Sequence, residues 1–262
     1  MTAAIHKAED GLNILIWYGY DGTDFAGSQI QPGKRTVSGE LESVLAGLYG
    51  RTVKLIPSSR TDKGVHARKT AASAIVFPKC GPGPERLVRA LSAKLPRDIL
   101  VSKCETVPAG FNARFAASRR EYRYRFRIGK PPEIHEARFC ARIDGGLNID
   151  LVRKAVSLIP GACSFKAFSG SGGGLTSGIC RIFSASFRLL GTRGEFRIEA
   201  DRFLHQMVRR LAGSIFAVGR GELEMRTFES SLFRGTALPR VFLAPPEGLF
   251  LWRVLFERLQ NE

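Results

Sequence analysis

The chain has 262 residues, a formal net charge of +16 and an ordinary apolar content of 44%. No apolar run is long enough to span a bilayer, so we do not expect a helical membrane protein. Five widely spaced cysteines and four scattered histidines form neither a disulfide framework nor a metal-ligand spacing, and we expect reduced thiols and no structural zinc. Residues 1–10 carry two acids and no apolar core, so the sequence predicts no secretory signal.

Positive charge is concentrated in the second half of the chain. Residues 1–108 hold 15 Lys and Arg against 10 Asp and Glu, whereas residues 109–262 hold 25 against 14. Most of the second set is arginine, which suits bidentate contacts with phosphate. We expect a polyanionic partner, with nucleic acid favoured over an acidic membrane because the chain lacks a basic amphipathic helix. A basic surface that serves only solubility is the alternative.

In the first half, apolar periodicity and turn signals predict the element order βαββαβ. Strands are predicted at residues 12–18, 53–56, 71–77 and 99–107, and helices at 36–50 and 85–95. This order is typical of an α+β sandwich with helices on one face of a sheet.

The second half begins near Ala109, after the loop at Pro108 that we take as the domain boundary. Strands are predicted at residues 122–128, 181–190, 195–200 and 249–256, and helices at 150–159 and 202–218. Residues 169–178 are rich in Gly and Ser but lack the Lys-Ser/Thr ending of a phosphate-binding loop, so we expect a flexible connector.

The predicted strand 122–128 alternates aromatic or apolar residues with arginines. An aromatic face can stack on a base while an arginine face holds phosphates. A core-facing aromatic stripe with solvated arginines opposite is the simpler interpretation, and we favour it for Tyr124, Phe126 and Ile128. Tyr122, at the entry of the strand, is the expected exception.

One carboxylate lies in an unusual turn. The segment Ser58-Ser59-Arg60-Thr61-Asp62-Lys63-Gly64-Val65-His66-Ala67 places Asp62 among basic and polar residues just before a strand. An Asp held charged by its neighbours can act as a nucleophile, and Arg60 and Lys63 could hold it so. It could equally cap the turn, as an Asp near glycine often does, with the cations as ordinary surface charges.

A second candidate group lies on the predicted helix 202–218. The side opposite its apolar stripe carries His205, Gln206, Arg209 and Arg210. Arg209 could reach a carboxylate in a cleft or bind a phosphate. An ordinary surface arginine is the alternative.

Six segments, in order, resemble motifs of the tRNA pseudouridine synthase A family, and the similarity extends over residues 12–256. They are residues 20–27, 35–42, 58–67, 111–124, 203–210 and 247–251. The first motif continues as Gly27-Ser28-Gln29, where many members carry tryptophan, and Lys63 stands where bacterial members often have alanine. Ser58, Ser59 and Lys63 look more like the eukaryotic branches of the family.

The resemblance implies a fold and a set of site residues. The fold is α+β, with two β-rich, ferredoxin-like (RNP-like) subdomains at 1–108 and 109–262, an antiparallel sheet flanked by helices, and a central basic cleft. Asp62 is implied as the catalytic residue and Arg209 as its partner. Arg60 would help to displace the target base, Tyr122 would stack on the uracil, and Leu249 would support it.

The resemblance also implies a reaction. A specific uridine of tRNA, expected in the anticodon stem-loop, would have its N-glycosidic bond broken and its uracil rotated and rejoined through carbon. The base must leave its stack to reach the carboxylate. No metal or organic cofactor is expected.

The expected partners are tRNA and a second copy of the chain in a homodimer, without a membrane. The expected location is intracellular, with cytoplasm, nucleus and mitochondrion all open. A non-catalytic tRNA-binding module on the same scaffold is the alternative function. The joint presence of Arg60, Asp62 and Tyr122 disfavours it, since a pure binder gains nothing from a carboxylate that faces a polyanion.

Overall fold

The computed structural model describes residues 11–170 and 178–257. Residues 1–10 and most of the predicted connector 169–178 lie outside these ranges. The first half follows the predicted order, with β1 (Leu12–Tyr20), α1 (Val37–Tyr49), β2 (Leu55–Pro57), β3 (His66–Val76), α2 (Pro84–Lys94) and β4 (Ile99–Thr106). The strand predicted from residue 71 begins at His66, so it follows the Asp62 turn almost directly.

Within the described residues, the second half contains every predicted strand and helix, together with two α-helices and one strand that were not predicted. In chain order it has α3 (Ala113–Ala116), β5 (Arg119–Ile128), β6 (Ala141–Ile143), α4 (Ile149–Leu158), β7 (Ile182–Leu190), β8 (Arg193–Ala200), α5 (Met207–Gly219), α6 (Met225–Arg234) and β9 (Leu249–Leu255). The elements α3, β6 and α6 are the additions. The helix predicted from residue 202 begins only at Met207, because Gln206 adopts a left-handed conformation with φ 58°.

Among the described residues, nine strands form one sheet in the order β4-β1-β3-β9-β5-β8-β7, with β2 paired to β3 and β6 to β5. Most pairs are antiparallel, which agrees with the expected α+β class. The two halves meet where β3 and β9 pair in parallel, with His66 opposite Phe250 and Ala67 opposite Leu251. One sheet therefore runs through both halves, and the division at residue 108 stays a prediction.

Local sequence signals explain where the helices start and end. The Thr36 side chain accepts a hydrogen bond from the Gly39 N–H at the start of α1, and Gly50 ends that helix in the left-handed region with φ 64°. Asn148 caps α4 in the same way, since its side chain accepts from the N–H groups of Asp150 and Leu151.

Tyr124 and Phe126 of β5 form the core of the second half, as predicted, but Tyr122, the expected exception, is also buried in that core at 6% exposure. Tyr124 and Phe126 are fully buried, and their rings pack against Phe216 of α5 at centroid distances of 6.0 and 4.8 Å. Burying an aromatic ring of this size contributes about 1.5–3 kcal/mol. These contacts fix α5 on the sheet, and α5 carries Arg209.

The arginines on the opposite face of β5 are less solvated than predicted. Glu121 on the same face is 1% exposed, and its carboxylate accepts from Arg123 Nε at 2.8 Å and Arg197 Nη2 at 3.2 Å. Arg253 Nε lies 2.6 Å from Oε2 of Glu121, the oxygen that Arg197 Nη2 also contacts. The buried carboxylate neutralises part of the charge on this face and joins β5, β8 and β9.

No helix within the described ranges combines the length and apolarity that a membrane crossing requires.

Candidate active site

The Asp62 turn connects β2 to β3, and the loop after β1 holds it in place. The Thr61 N–H donates to Ser28 Oγ at 2.8 Å, and the Ser28 N–H donates to the Thr61 carbonyl at 3.1 Å. The hydroxyls of Tyr20 and Thr61 share a hydrogen bond of 2.8 Å. Gly27 has φ 113°, and a Cβ there would lie 3.0 Å from the Thr61 carbonyl oxygen. The first resembling segment therefore positions the residue before Asp62.

The other side of the turn is closed from the second half of the chain. The Val65 N–H donates to the Asp62 carbonyl at 3.2 Å. Gly64 has φ 77°, a conformation that side chains rarely adopt, and a Cβ there would lie 3.0 Å from Pro246 Cγ. The segment that leads into β9 thus packs directly on the turn that carries Asp62.

A buried arginine ties the beginning of the turn to the second half. Arg120 is 9% exposed and its guanidinium faces four carbonyl oxygens. Nη1 donates to Ala117 at 2.8 Å and Asp201 at 2.6 Å, and Nη2 donates to Ser58 and Arg114, both at 2.9 Å. Burial lowers the pKa of this guanidinium from its ordinary value, and the four carbonyls stabilise the charged form.

The Asp62 carboxylate faces an arginine from α5. Arg209 Nη1 lies 3.4 Å from Asp62 Oδ2, and Arg209 Nε donates to the Ala244 carbonyl at 2.9 Å. The Arg209 side chain is 11% exposed and that of Asp62 is 21% exposed. A nearly buried cation therefore stands behind a carboxylate that solvent still reaches. The pair leaves part of the carboxylate open to a bound molecule.

His205 contacts the other oxygen of the same carboxylate, a contact that sequence reasoning missed. Its Nε2 lies 3.6 Å from Asp62 Oδ1. Gln206 is the one residue other than glycine with positive φ in the described part of the chain. A left-handed residue of this kind costs about 1–2 kcal/mol and breaks the predicted helical path, so His205 lies ahead of α5. No sequence signal predicts this break, since residues 203–210 were expected to be part of the helix.

Tyr122 lies below the turn, largely buried at 6% exposure. Its hydroxyl donates to the Arg60 carbonyl at 3.4 Å, and its ring packs edge-on against Phe203 at 4.9 Å. Burial raises the pKa of the phenol to about 12, with the Asp62 charge acting in the same direction. The hydroxyl is therefore a neutral donor at pH 7.

Arg60 is exposed to solvent, whereas Leu249 is buried in β9. Arg60 is exposed, and no carboxylate in residues 11–170 or 178–257 forms an ion pair with its guanidinium. Leu249 is 4% exposed, opens β9 directly after the segment that packs on the turn, and pairs in register with Tyr124. Asp62, Arg209 and Tyr122 thus meet around one turn, with Leu249 in the adjoining strand. Within the described residues, no three His, Cys, Asp or Glu side chains are arranged to hold a metal ion.

Comparison with known proteins identifies similar chains. A family model described as tRNA pseudouridine synthase matches residues 155–257. The protein named tRNA pseudouridine synthase A from Geobacillus sp. (strain WCH70) is 36% identical over 242 residues, which cover 91% of this chain and 96% of that relative. The chain belongs to the tRNA pseudouridine synthase A family. Its relative of the same name from Exiguobacterium sp. is 35% identical over 94% of this chain and 98% of the relative.

A third family member, from Pelodictyon phaeoclathratiforme, is 37% identical over 93% of this chain and 99% of the relative. Each alignment covers more than nine-tenths of the chain and therefore includes both the Asp62 turn and the Arg209 helix. These three family members are bacterial, whereas Ser58, Ser59 and Lys63 had pointed to eukaryotic branches.

Proposed function

We propose that this protein converts a uridine of tRNA into pseudouridine, with Asp62 as the catalytic group. One observation carries the assignment of Asp62. Its carboxylate is reachable from solvent, faces the nearly buried guanidinium of Arg209 at 3.4 Å, and sits in a turn held by both halves of the chain. A pure RNA binder gains nothing from a fixed carboxylate that would repel phosphate.

The reaction is an isomerisation whose atoms balance without an external reagent. The bond between uracil N1 and ribose C1′ breaks, the base rotates, and a bond forms between C5 and C1′. C5 loses a proton and N1 gains one. As the nucleophile, an oxygen of Asp62 bonds to ribose C1′ while the N1–C1′ bond breaks, and this bond breaks again when C5 bonds to C1′, which returns the free carboxylate beside Arg209.

The remaining site residues bind and expose the base. The exposed Arg60 enters the RNA stack as the uridine leaves it, a step that enzymes acting on a base in a helix require. Tyr122 provides a flat ring below the turn, and Leu249 provides an apolar contact from β9. The neutral Tyr122 hydroxyl does not repel the carboxylate.

The target is a uridine of the anticodon stem-loop, and the protein works as an intracellular homodimer. The target site and the intracellular homodimer are both implied by the family resemblance. The high positive charge of the chain supports a large RNA surface, since phosphate contacts dominate affinity for nucleic acids. Sedimentation equilibrium of the purified protein tests the dimer, and a monomer at micromolar concentration would contradict it.

The direct test incubates the protein with an unmodified tRNA transcript and maps pseudouridine at nucleotide resolution. We expect conversion by the wild type and none by Asp62→Asn, which keeps the shape of the side chain and removes its charge. The variant should retain tRNA affinity within about threefold, since no phosphate contact is lost. Asp144→Asn, an exposed acid after β6, is the matched control and should remain active.

Turnover by Asp62→Asn would overturn the assignment of the carboxylate. Tight tRNA binding by the wild type without any pseudouridine would instead favour the non-catalytic RNA-binding module. The two outcomes are separate because one concerns the variant and the other the wild type.

A further inference from the structure

A cavity of about 510 Å³ is lined in part by Arg210, in the first turn of α5. Its polar wall is formed by Lys166, Arg210 and Arg240, and its apolar wall includes Leu238, Val241 and Phe242. None of these residues belongs to the group around Asp62. The cavity combines three cations with an apolar surface, a composition that suits a phosphodiester with its attached sugar.

The charge of Arg210 is not neutralised by any carboxylate in the part of the chain that the structure describes. Its guanidinium is partly buried, and its hydrogen bonds go to a neutral acceptor, Gln206 Oε1, at 3.3 Å from Nε and 3.2 Å from Nη2. No carboxylate in the described residues pairs with Arg210 or with the exposed Lys166. Withdrawing a cation from water without a counter-charge is costly, so this position favours an anion that arrives from outside.

Arg240 adds a weaker contribution to the same wall. Its Nη2 lies 2.8 Å from Glu222 Oε2, and Glu222 also contacts Arg220. The single acid is therefore shared between two arginines. The wall of the cavity keeps a positive charge after this pairing is taken into account.

Residues at the cavity are sequence neighbours of residues that contact Asp62. Arg210 directly follows Arg209 in α5, and Gln206 directly follows His205, the residue that contacts Asp62. The Ala244 N–H donates to the Arg209 carbonyl at 3.1 Å, so the segment after the cavity residues 241 and 242 is fixed to α5. A Cβ on Gly170 would lie 2.8 Å from Gln206 Oε1, which accepts from Arg210, and 2.7 Å from Nδ1 of His205. The polar wall of the cavity therefore lies close to the imidazole that contacts Asp62.

We propose that this cavity binds one backbone phosphodiester of the RNA, next to the target uridine. Arg210 makes a bidentate contact with the phosphate, Lys166 makes a second contact, and Val241 and Phe242 pack against the ribose. The proposal rests on the proposed function and adds a specific contact for the strand that flanks the reacting base.

The protein-side test measures tRNA affinity as a function of NaCl concentration. Arg210→Met keeps an unbranched side-chain stem and removes the charge. We expect about tenfold weaker binding at physiological salt, and a slope of log K against log salt that is smaller in magnitude by about one. Lys166→Met should change the affinity and the slope in the same direction. Because Lys166 is exposed, this variant should fold normally, so the test remains decisive even if Arg210→Met folds poorly. Arg153→Met, on the exposed face of α4, is the matched control and should leave the slope unchanged.

The RNA-side test replaces single phosphates near the target by neutral methylphosphonates in an anticodon stem-loop. We expect one flanking position at which the replacement weakens binding to the wild type but not to Arg210→Met. An unchanged salt slope for both variants, or additive effects at every position, would overturn the proposal. Failure of the proposed function would appear differently, as wild-type protein that yields no pseudouridine.

Discussion

The buried guanidinium of Arg120 donates to the carbonyl of Ser58 at 2.9 Å, across the two halves of the chain. Ser58 begins the turn that carries Asp62, and Arg120 lies on β5 two residues before Tyr122. The same guanidinium also holds the carbonyl of Asp201, which lies ahead of α5. One side chain therefore sets the position of the turn relative to the strand of Tyr122 and to the segment that leads to Arg209.

Replacing Arg120 by Met should weaken both folding and catalysis. The variant leaves four carbonyl oxygens without their donor, and a loss of this kind costs about 2–4 kcal/mol in the free energy of unfolding. Urea denaturation measures the loss, and turnover at a temperature where the variant is folded measures the displacement of Asp62. Arg119→Met, at a partly exposed neighbour paired with Glu199, is the control and should change stability by less than about 1 kcal/mol. Equal stability of the two variants would contradict the role of Arg120.

Removing the Tyr122 hydroxyl should not alter the pH dependence of activity near neutrality. Burial raises the pKa of this phenol to about 12, so the hydroxyl stays protonated from pH 7 to pH 10 in the native protein. We expect the same shape of the rate profile for the wild type and Tyr122→Phe over that interval. An alkaline limb below pH 10 that disappears in Tyr122→Phe would show that the phenol ionises there.

The sequence predicted the elements of the fold better than the path of the chain at the site. Caps such as Thr36 and Gly50 and the alternation in β5 are local signals, and the structure confirms those elements. The break before α5 was missed because residues 203–208 are compatible with a helix. Only the contacts around Gln206 in the folded chain make the left-handed conformation acceptable.

Contacts between site residues that are far apart in the sequence could not be predicted from local patterns. The proximity of Asp62 and Arg209 came from family resemblance, since 147 residues separate them in the sequence. Local patterns indicated a charged turn and a basic helix, but no periodicity shows that these face each other. The role of Arg120 could not be predicted from the sequence either. Its four partners are backbone carbonyls, which every residue possesses, so no residue type signals them.

Protonation of His66 should destabilise the fold below pH 6.5. Its ring is fully buried and stacks on Phe250 at 4.7 Å, and its Nδ1 accepts from the Gly22 N–H at 3.0 Å, which requires the neutral form. Burial lowers the pKa of this imidazole, although the nearby Asp21 carboxylate opposes the shift.

The sign of this effect follows from proton uptake. The unfolded chain binds a proton near pH 6.5, whereas the native state resists it, so stability falls as the pH drops below about 6.5. Urea denaturation at pH 7.5, 6.5 and 5.5 measures the fall. His66→Gln keeps a polar side chain without the titration and should show a shallower fall than the wild type. His135→Gln, at an exposed site, should leave the pH dependence unchanged. A fall in the wild type no steeper than that of His66→Gln would contradict the prediction.

The two groups that contact Asp62 should contribute very unequally to catalysis. Arg209 is 11% exposed and also bonded to the Ala244 carbonyl, so its position is fixed and its charge is poorly screened. His205 is 43% exposed and lies 3.6 Å from the carboxylate, a geometry worth at most about 1 kcal/mol. We expect Arg209→Met to lower kcat/KM by about a hundredfold or more, and His205→Ala by less than about fivefold. Single-turnover measurements at saturating enzyme separate this loss from weaker RNA binding. A larger effect of His205→Ala than of Arg209→Met would assign the main support of the carboxylate to the imidazole instead.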